Sequence, residues 1–216
     1  MFEPRPHPLI ETFARERCSA ILRTPHARAV VPAMQAAVDG GFRIVEFTLT
    51  CPSAFQAITR FARERELVVG AGTVLSTHDA ERAIDAGARF IVSPVMDPDV
   101  IRWCAARDVL VIPGCFTPTE MLAAHVHGAP IVKLFPGPAD GPSYVRACRG
   151  PLPFLRLFPT SGVTEDNVAA YFAAGSFGVG WVGPLFVEDD LAQDRFDAVR
   201  ARAERMVRIS RADRAS

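Results

Sequence analysis

Eight short apolar runs, each followed by a stretch with helical patterning, narrow the folds open to this chain of 216 residues. The runs are AILR (20–23), RIVEFTL (43–49), LVVGAGTV (67–74), FIVSP (90–94), VLVIPG (109–114), IVKLFP (131–136), LRLFPTSG (155–162) and SFGVGWVG (176–183). They recur roughly every 20 to 25 residues and are too short for ordinary helices. Their apolar character is nearly continuous rather than alternating, as in strands covered on both faces of a parallel sheet.

The intervening segments read as helices. STHDAERAIDAGA opens on an N-cap candidate, Ser76 or Thr77, and closes on Gly87. ARAVVPAMQAAVDGG stops at a Gly pair, and PSAFQAITRFARERE places Phe55, Ile58 and Phe61 at helical spacing. Strand–helix alternation predicts an α/β fold with a parallel sheet. Eight such units in about 190 residues suit a (β/α)8 TIM barrel. The barrel is expected over about residues 18–186, within a single domain spanning 1–216. An extra N-terminal helix (PLIETFARER) precedes it and a C-terminal helix, about 190–209, follows. An open doubly wound sheet is the alternative, but it would more often carry a Gly-rich turn after the first strand, and ILRTPHA is not one.

Composition excludes several classes of function. Formal net charge is zero, which gives no electrostatic footprint for nucleic acid. No window approaches the roughly 18 apolar residues of a membrane span, and the N-terminus lacks the apolar core of a secretory signal. Cys18, Cys51, Cys104, Cys115 and Cys148 are scattered and odd in number, which reads as reduced thiols in a cytoplasmic protein. His125 and His127 stand two apart, the wrong spacing for a helical metal pair, and read as solvated surface residues; no metal site is signalled. The first eight residues read as a loose lead-in, and the arginine-rich C-terminus as a solvated helix that frays.

In a (β/α)8 barrel, active sites lie at the C-terminal ends of the strands. Unusual residues collect at those ends: Arg23 on the first, Glu46 and Thr48 on the second, and Gly70, Gly72 and Thr73 on the third. Ser93 and Pro94 end the fourth strand, Pro113 and Gly114 the fifth, and Lys133 lies in the sixth. Thr160, Ser161 and Gly162 end the seventh, and Gly178, Gly180 and Gly183 mark the eighth.

Lys133 is the one lysine among 24 basic residues, and it interrupts an apolar strand, as Glu46 does. Buried charges are costly unless paired, hydrogen-bonded or neutralised. A plain Glu46–Lys133 ion pair would account for both. Arginine would serve such a pair as well or better, and arginine is this chain's habitual base. Arginine cannot lose its proton and attack a carbonyl, whereas a desolvated lysine can, forming a Schiff base. A neighbouring carboxylate can then move protons. The glycines ending strands seven and eight either permit tight turns or expose N–H groups to an anion such as phosphate.

With these residues in place the chain resembles the class I aldolases of the 2-keto-3-deoxy-6-phosphogluconate and 2-keto-3-deoxy-6-phosphogalactonate type, which include 4-hydroxy-2-oxoglutarate aldolases. The resemblance rests on AILR, GGFRIVEFTLTCP, VVGAGTVL, GARFIVSP, VIPGCFTPTEM, IVKLFPGPADGPSYVRA and FPTSGVTEDNVAAYFAAG, in order over about residues 20–186. AILR and DGPSYVRA lean toward the galactonate-type branch. The resemblance implies a TIM barrel, usually a homotrimer, that needs no metal or organic cofactor. It implies that Lys133 forms the Schiff base with the C2 ketone of a sugar acid. Glu46 would be the general acid/base, and pyruvate and glyceraldehyde 3-phosphate the products. Thr73, Pro94 and Phe135 match positions that line the pyruvate pocket. Thr48, Thr160, Ser161, Gly162 and Gly183 complete the expected substrate contacts.

Three departures stand out. Thr50 occupies the position of the arginine that holds the substrate carboxylate in gluconate-type members, and Arg23 is the replacement candidate. The seventh-strand motif, usually T-G-G, reads Thr160-Ser161-Gly162. The eighth-strand Gly-Ser is replaced by Val182-Gly183, which leaves backbone N–H groups to hold a phosphate and opens a reading with unphosphorylated acids or 4-hydroxy-2-oxoglutarate. A phosphosugar isomerase or epimerase, and a barrel that only binds sugar acids, are the rival readings.

Overall fold

The computed structural model describes Pro4 and residues 6–212. Eight parallel strands alternate with helices in a nearly closed (β/α)8 barrel. The order is α1 (Leu9–Glu16), β1 (Cys18–Leu22), a 3-10 turn (Ala27–Ala29), α2 (Val30–Asp39), β2 (Ile44–Thr48), α3 (Ala54–Phe61) and β3 (Val68–Gly72). There follow α4 (Thr77–Asp85), β4 (Phe90–Ser93), α5 (Pro98–Ala105), β5 (Leu110–Cys115), α6 (Pro118–Val126) and β6 (Val132–Leu134). The chain continues through α7 (Gly141–Arg149), β7 (Leu157–Pro159), α8 (Val168–Ala173), β8 (Val179–Trp181), α9 (Glu188–Ala192) and α10 (Phe196–Ala212). Strands run β7-β6-β5-β4-β3-β2-β1-β8, and the Thr160–Gly180 bridge joins the two ends.

Helix starts follow the cap chemistry. Ser76 Oγ accepts from Asp79 N at 3.1 Å to open α4. Asp97 accepts from Asp99 N and Val100 N at the head of α5, and Thr117 with Glu120 forms a capping box before α6.

Side chains alternate across each strand and so divide the core in two. Outward residues such as Val45, Phe47, Val69, Ala71, Ile91 and Val111 pack under the helices. Inward residues Ile44, Val68, Phe90, Leu110, Ile131 and Phe158 fill the lower barrel. Helix α1 closes that lower end: Phe13 meets Phe90 and Phe158 edge-on, with centroids 5.3 and 5.8 Å apart. Among the described residues the interior is therefore a packed plug below, with its opening above.

The expected C-terminal helix is two helices, α9 and α10, separated by a turn at 193–195. Nor is α10 simply solvated: Val199, Ala203, Met206, Val207 and Ser210 are buried, and Trp181 Nε1 donates to Ser210 Oγ at 3.3 Å. Arginine at high frequency hides this apolar stripe in the sequence. Fraying beyond 212, like residues 1–3 and 5 of the lead-in, lies outside the described residues. His7 in that lead-in is pinned, with Nε2 2.9 Å from Asp108 O and Nδ1 accepting from Leu9 N at 3.2 Å. His125 is buried rather than solvated, its ring 4.8 Å from that of Phe154.

Candidate active site

The inward face of β2 carries Glu46 and that of β6 carries Lys133, one level above the apolar plug. Both are buried, at 2% and 5% exposure, so neither charge is screened by bulk water. Lys133 is locked in register between Gly114 of β5 and Phe158 of β7. Its Nζ lies 4.7 Å from the centre of the Phe135 ring, which covers the amine.

Glu46 pairs in register with Gly70 of β3, and Gly72 further along that strand makes room for its carboxylate. A Cβ at Gly72 would overlap Glu46 Oε1. That oxygen is buried and has no hydrogen-bond partner among the described residues. The plain ion pair considered above does not form: among the described residues no contact of 4.0 Å or less joins the Glu46 carboxylate to Lys133.

Burial displaces both groups in the sense that suits proton exchange between them. Desolvation raises the Glu46 pKa above the usual carboxylate range, partly offset by Lys133 and Arg23. Desolvation lowers that of Lys133; Glu46 opposes the shift and Arg23 adds to it. A larger fraction of amine is therefore neutral, and so nucleophilic, than for a solvated lysine. The thiols behave oppositely. Burial pushes Cys18, Cys104 and Cys115 up to about 12, so they stay protonated and are poor nucleophiles.

Two spaces meet at Lys133. Below it, a cavity of about 10 Å³ is bordered by Glu46, Ser19, Thr160 and the apolar plug. That is near the lower limit for one water, and the polar rim supplies partners for it. Above it, a cavity of about 290 Å³ opens to solvent, bordered by Arg23, Lys133, Phe135, Thr160, Ser161, Gly162 and Gly183. Ile21, Val163, Gly180, Val182 and Pro184 complete its wall. Seven of the eleven residues singled out from sequence thus share one cavity.

The other four lie around it. Glu46 borders the lower space. Thr73 holds the head of Arg23, whose Nη2 donates to Thr73 Oγ1 at 3.2 Å. Pro94 is half-buried after β4, its carbonyl facing Gly114. Thr48 shares the strand face of Glu46 but borders neither space; its hydroxyl lies 2.9 Å from Thr50 Oγ1 and 3.5 Å from Cys51 Sγ. Sequence reasoning passed over Ser19 and Ile21. Ile21 lies in register with Glu46 and Ser19 shares its strand face, which was readable from period-two alternation once β1 was known to start at Cys18.

The loops after β7 and β8 contribute mostly backbone to the cavity. Ser161 has φ +92°, a conformation that favours glycine, and a Cβ at Gly183 would meet nothing within 4 Å. Among the described residues, Arg23 is the one arginine on the wall of the upper cavity. Among the described residues no three His, Cys, Asp or Glu cluster as metal ligands, and no helix is long and apolar enough to cross a membrane.

Comparison with known proteins places this geometry. A family model described as KDPG and KHG aldolase matches residues 10–201. The chain is 41% identical over 164 residues to a probable 2-dehydro-3-deoxy-6-phosphogalactonate aldolase of Rhizobium meliloti, covering 74% of this chain and 76% of the relative. It is 34% identical over 186 residues to a 2-dehydro-3-deoxy-phosphogluconate aldolase of Pseudomonas aeruginosa, covering 83% and 84%. A solved structure described as native KDPGal superposes with a TM-score of 0.82 at 31% identity, covering 90% of this chain and 94% of that one.

Proposed function

Since the chain belongs to the KDPG and KHG aldolase family, we propose that it is a class I aldolase that cleaves a 2-keto-3-deoxy-6-phospho sugar acid to pyruvate and glyceraldehyde 3-phosphate. The observation that carries this reading is the buried amine of Lys133, free of a salt bridge among the described residues, at the floor of an open cavity that adjoins the space bordered by Glu46, whose Oε1 has no hydrogen-bond partner among those residues.

The neutral amine attacks the C2 ketone and, with loss of water, gives an iminium. Glu46, protonated more readily than a solvated carboxyl, supplies the proton for the departing hydroxyl. As carboxylate it then takes the C4 hydroxyl proton. The C3–C4 bond breaks, its electrons pass into the iminium, and the aldehyde leaves. Protonation of the resulting enamine and hydrolysis release pyruvate and restore the amine. The single-water space between Glu46, Lys133, Ser19 and Thr160 supports a relay through water, because the two ionisable groups do not touch.

Arg23 is assigned to the keto-acid carboxylate, with Thr73 steadying its head and Phe135 against the Schiff-base carbon. Backbone N–H groups around Ser161, Gly162 and Gly183 are assigned to the phosphate, as in other barrel loops after the seventh and eighth strands. Among the described residues no second arginine borders the cavity, which supports a second reading in which the substrate is an unphosphorylated 2-keto-3-deoxy acid or 4-hydroxy-2-oxoglutarate. A homotrimer is the proposed assembly. Leu75, Val95 and Phe116, on the loops after β3, β4 and β5, and Leu122 on α6 are exposed apolar residues that support a subunit contact there.

Borohydride reduction in the presence of pyruvate tests the chemistry. A mass gain on Lys133 is expected; no gain at saturating pyruvate removes the aldolase reading in favour of an isomerase or a silent binding barrel. A pyruvate-release panel coupled to lactate dehydrogenase tests the substrate. Turnover confined to unphosphorylated acids would overturn the phosphorylated assignment.

A further inference from the structure

Arg23 lies one residue past the end of β1, where the β1–β2 ladder has stopped at the Leu22–Phe47 pair. Its side chain is exposed, so packing does not hold it. The thiol of Cys51, on the loop after β2, takes over where the ladder ends. Cys51 Sγ donates to Leu22 O at 3.3 Å and accepts from Thr24 N at 3.3 Å. One buried sulfur therefore bonds the backbone on both sides of Arg23. The thiol is itself placed by Thr48 Oγ1 at 3.5 Å, and Cys51 N donates to Thr48 O at 2.9 Å.

We propose that Cys51 is a positioning residue for Arg23: its thiol fixes the backbone from which the guanidinium enters the cavity, so that Cys51 governs keto-acid affinity more than the bond-breaking step. The proposal rests on the assignment of Arg23 to the substrate carboxylate. The geometry behind it is a two-point hold. Thr73 Oγ1 accepts from the tip of the side chain, and the Cys51 thiol clamps its root. Replacing the thiol by an apolar group leaves Leu22 O and Thr24 N without their partner in a buried place, so the backbone at Arg23 must move to satisfy them. Serine keeps one donor and two lone pairs at that position and preserves the hold.

The test is a double-variant cycle on the full chain, reading the pyruvate concentration for half-maximal borohydride trapping of Lys133 and the trapping rate at saturation. Cys51→Ala is expected to raise half-saturation about fivefold to tenfold, the scale of a lost buried hydrogen bond, and to change the saturated rate by less than about twofold. Cys51→Ser is expected to stay within about twofold of the parent. In Arg23→Ala/Cys51→Ala the cysteine change should add nothing to Arg23→Ala, because the group it positions is gone. Multiplicative effects in the double variant, or a serine variant as weak as alanine, would overturn the proposal while leaving Arg23 in its role. Unchanged half-saturation in Arg23→Ala alone would instead remove the carboxylate assignment, and the Cys51 proposal with it. Cys51→Val, which removes the thiol without leaving a void, replaces Cys51→Ala should the smaller residue not fold.

Discussion

The two ends of the substrate cavity are built differently. At one end Lys133 and Glu46 sit on strands, buried and held by ladder partners on both sides. At the other, Ser161, Gly162 and Gly183 are exposed, sit past the ends of short strands, and offer mainly backbone. Strand positions inside a low-dielectric barrel shift pKa values and fix geometry, which is what covalent chemistry requires. Loop positions tolerate substitution without disturbing that chemistry. Under the proposed function, the contrast puts the reaction and its substrate range on separate elements: the departures from the family pattern at Ser161 and Val182-Gly183 fall at the loop end, whereas Lys133 and Glu46 stand at the strand end.

Substitutions graded along the cavity test this division. Lys133→Met should abolish pyruvate release, by about 10⁵-fold or more, with the fold intact by circular dichroism. Glu46→Gln should lower kcat by about 10²- to 10⁴-fold while borohydride trapping survives at long times. Gly72→Ala, which pushes a methyl against the Glu46 carboxylate, should cost about 10²-fold in kcat by misplacing that group.

Arg23→Ala should raise KM for keto acids about 10- to 100-fold through loss of a charged hydrogen bond. It should also displace the pH profile of Schiff-base formation. Arg23 lowers the Lys133 pKa, so its removal raises that pKa and moves the limb for free amine to higher pH. Glu46 raises the Lys133 pKa, so Glu46→Gln moves the same limb to lower pH. Shifts in the same direction for both variants would contradict the electrostatic arrangement.

The smallest effect belongs to the loop end. Ser161→Gly relieves a positive φ and should raise stability by about 1 kcal/mol in denaturant melts. It should lower KM for phosphorylated substrates only a fewfold and leave kcat unchanged. A large kcat change there would break the separation of chemistry from substrate range.

Most strands were readable to within a few residues, because continuous apolar runs bounded by glycine and proline have few other uses. Boundaries were less so. The run assigned to the first strand began at Ala20, whereas β1 begins at Cys18, and the two missed positions place Ser19 opposite Lys133 and Glu46 in the lower space. Alternating arginine and acids made α10 read as solvated although one stripe is buried against the barrel. His125 read as a surface histidine because histidine is a polar residue, and only packing against Phe154 reveals its burial. Thr48 shared a strand face with Glu46, but its hydroxyl found Thr50 and Cys51 nearer than the cavity.

By itself the sequence determined the alternation of strands and helices, the gathering of polar residues at strand ends, and the singular status of Lys133, because periodicity and residue chemistry are local properties of the chain. Only the tertiary structure decided that Glu46 and Lys133 border one small cavity without pairing. It also decided that Gly72 leaves the volume for that carboxylate, and that one cysteine thiol brackets Arg23. Those are distances between elements far apart in the chain, set when the barrel closes, and no local pattern encodes a gap of a few ångströms.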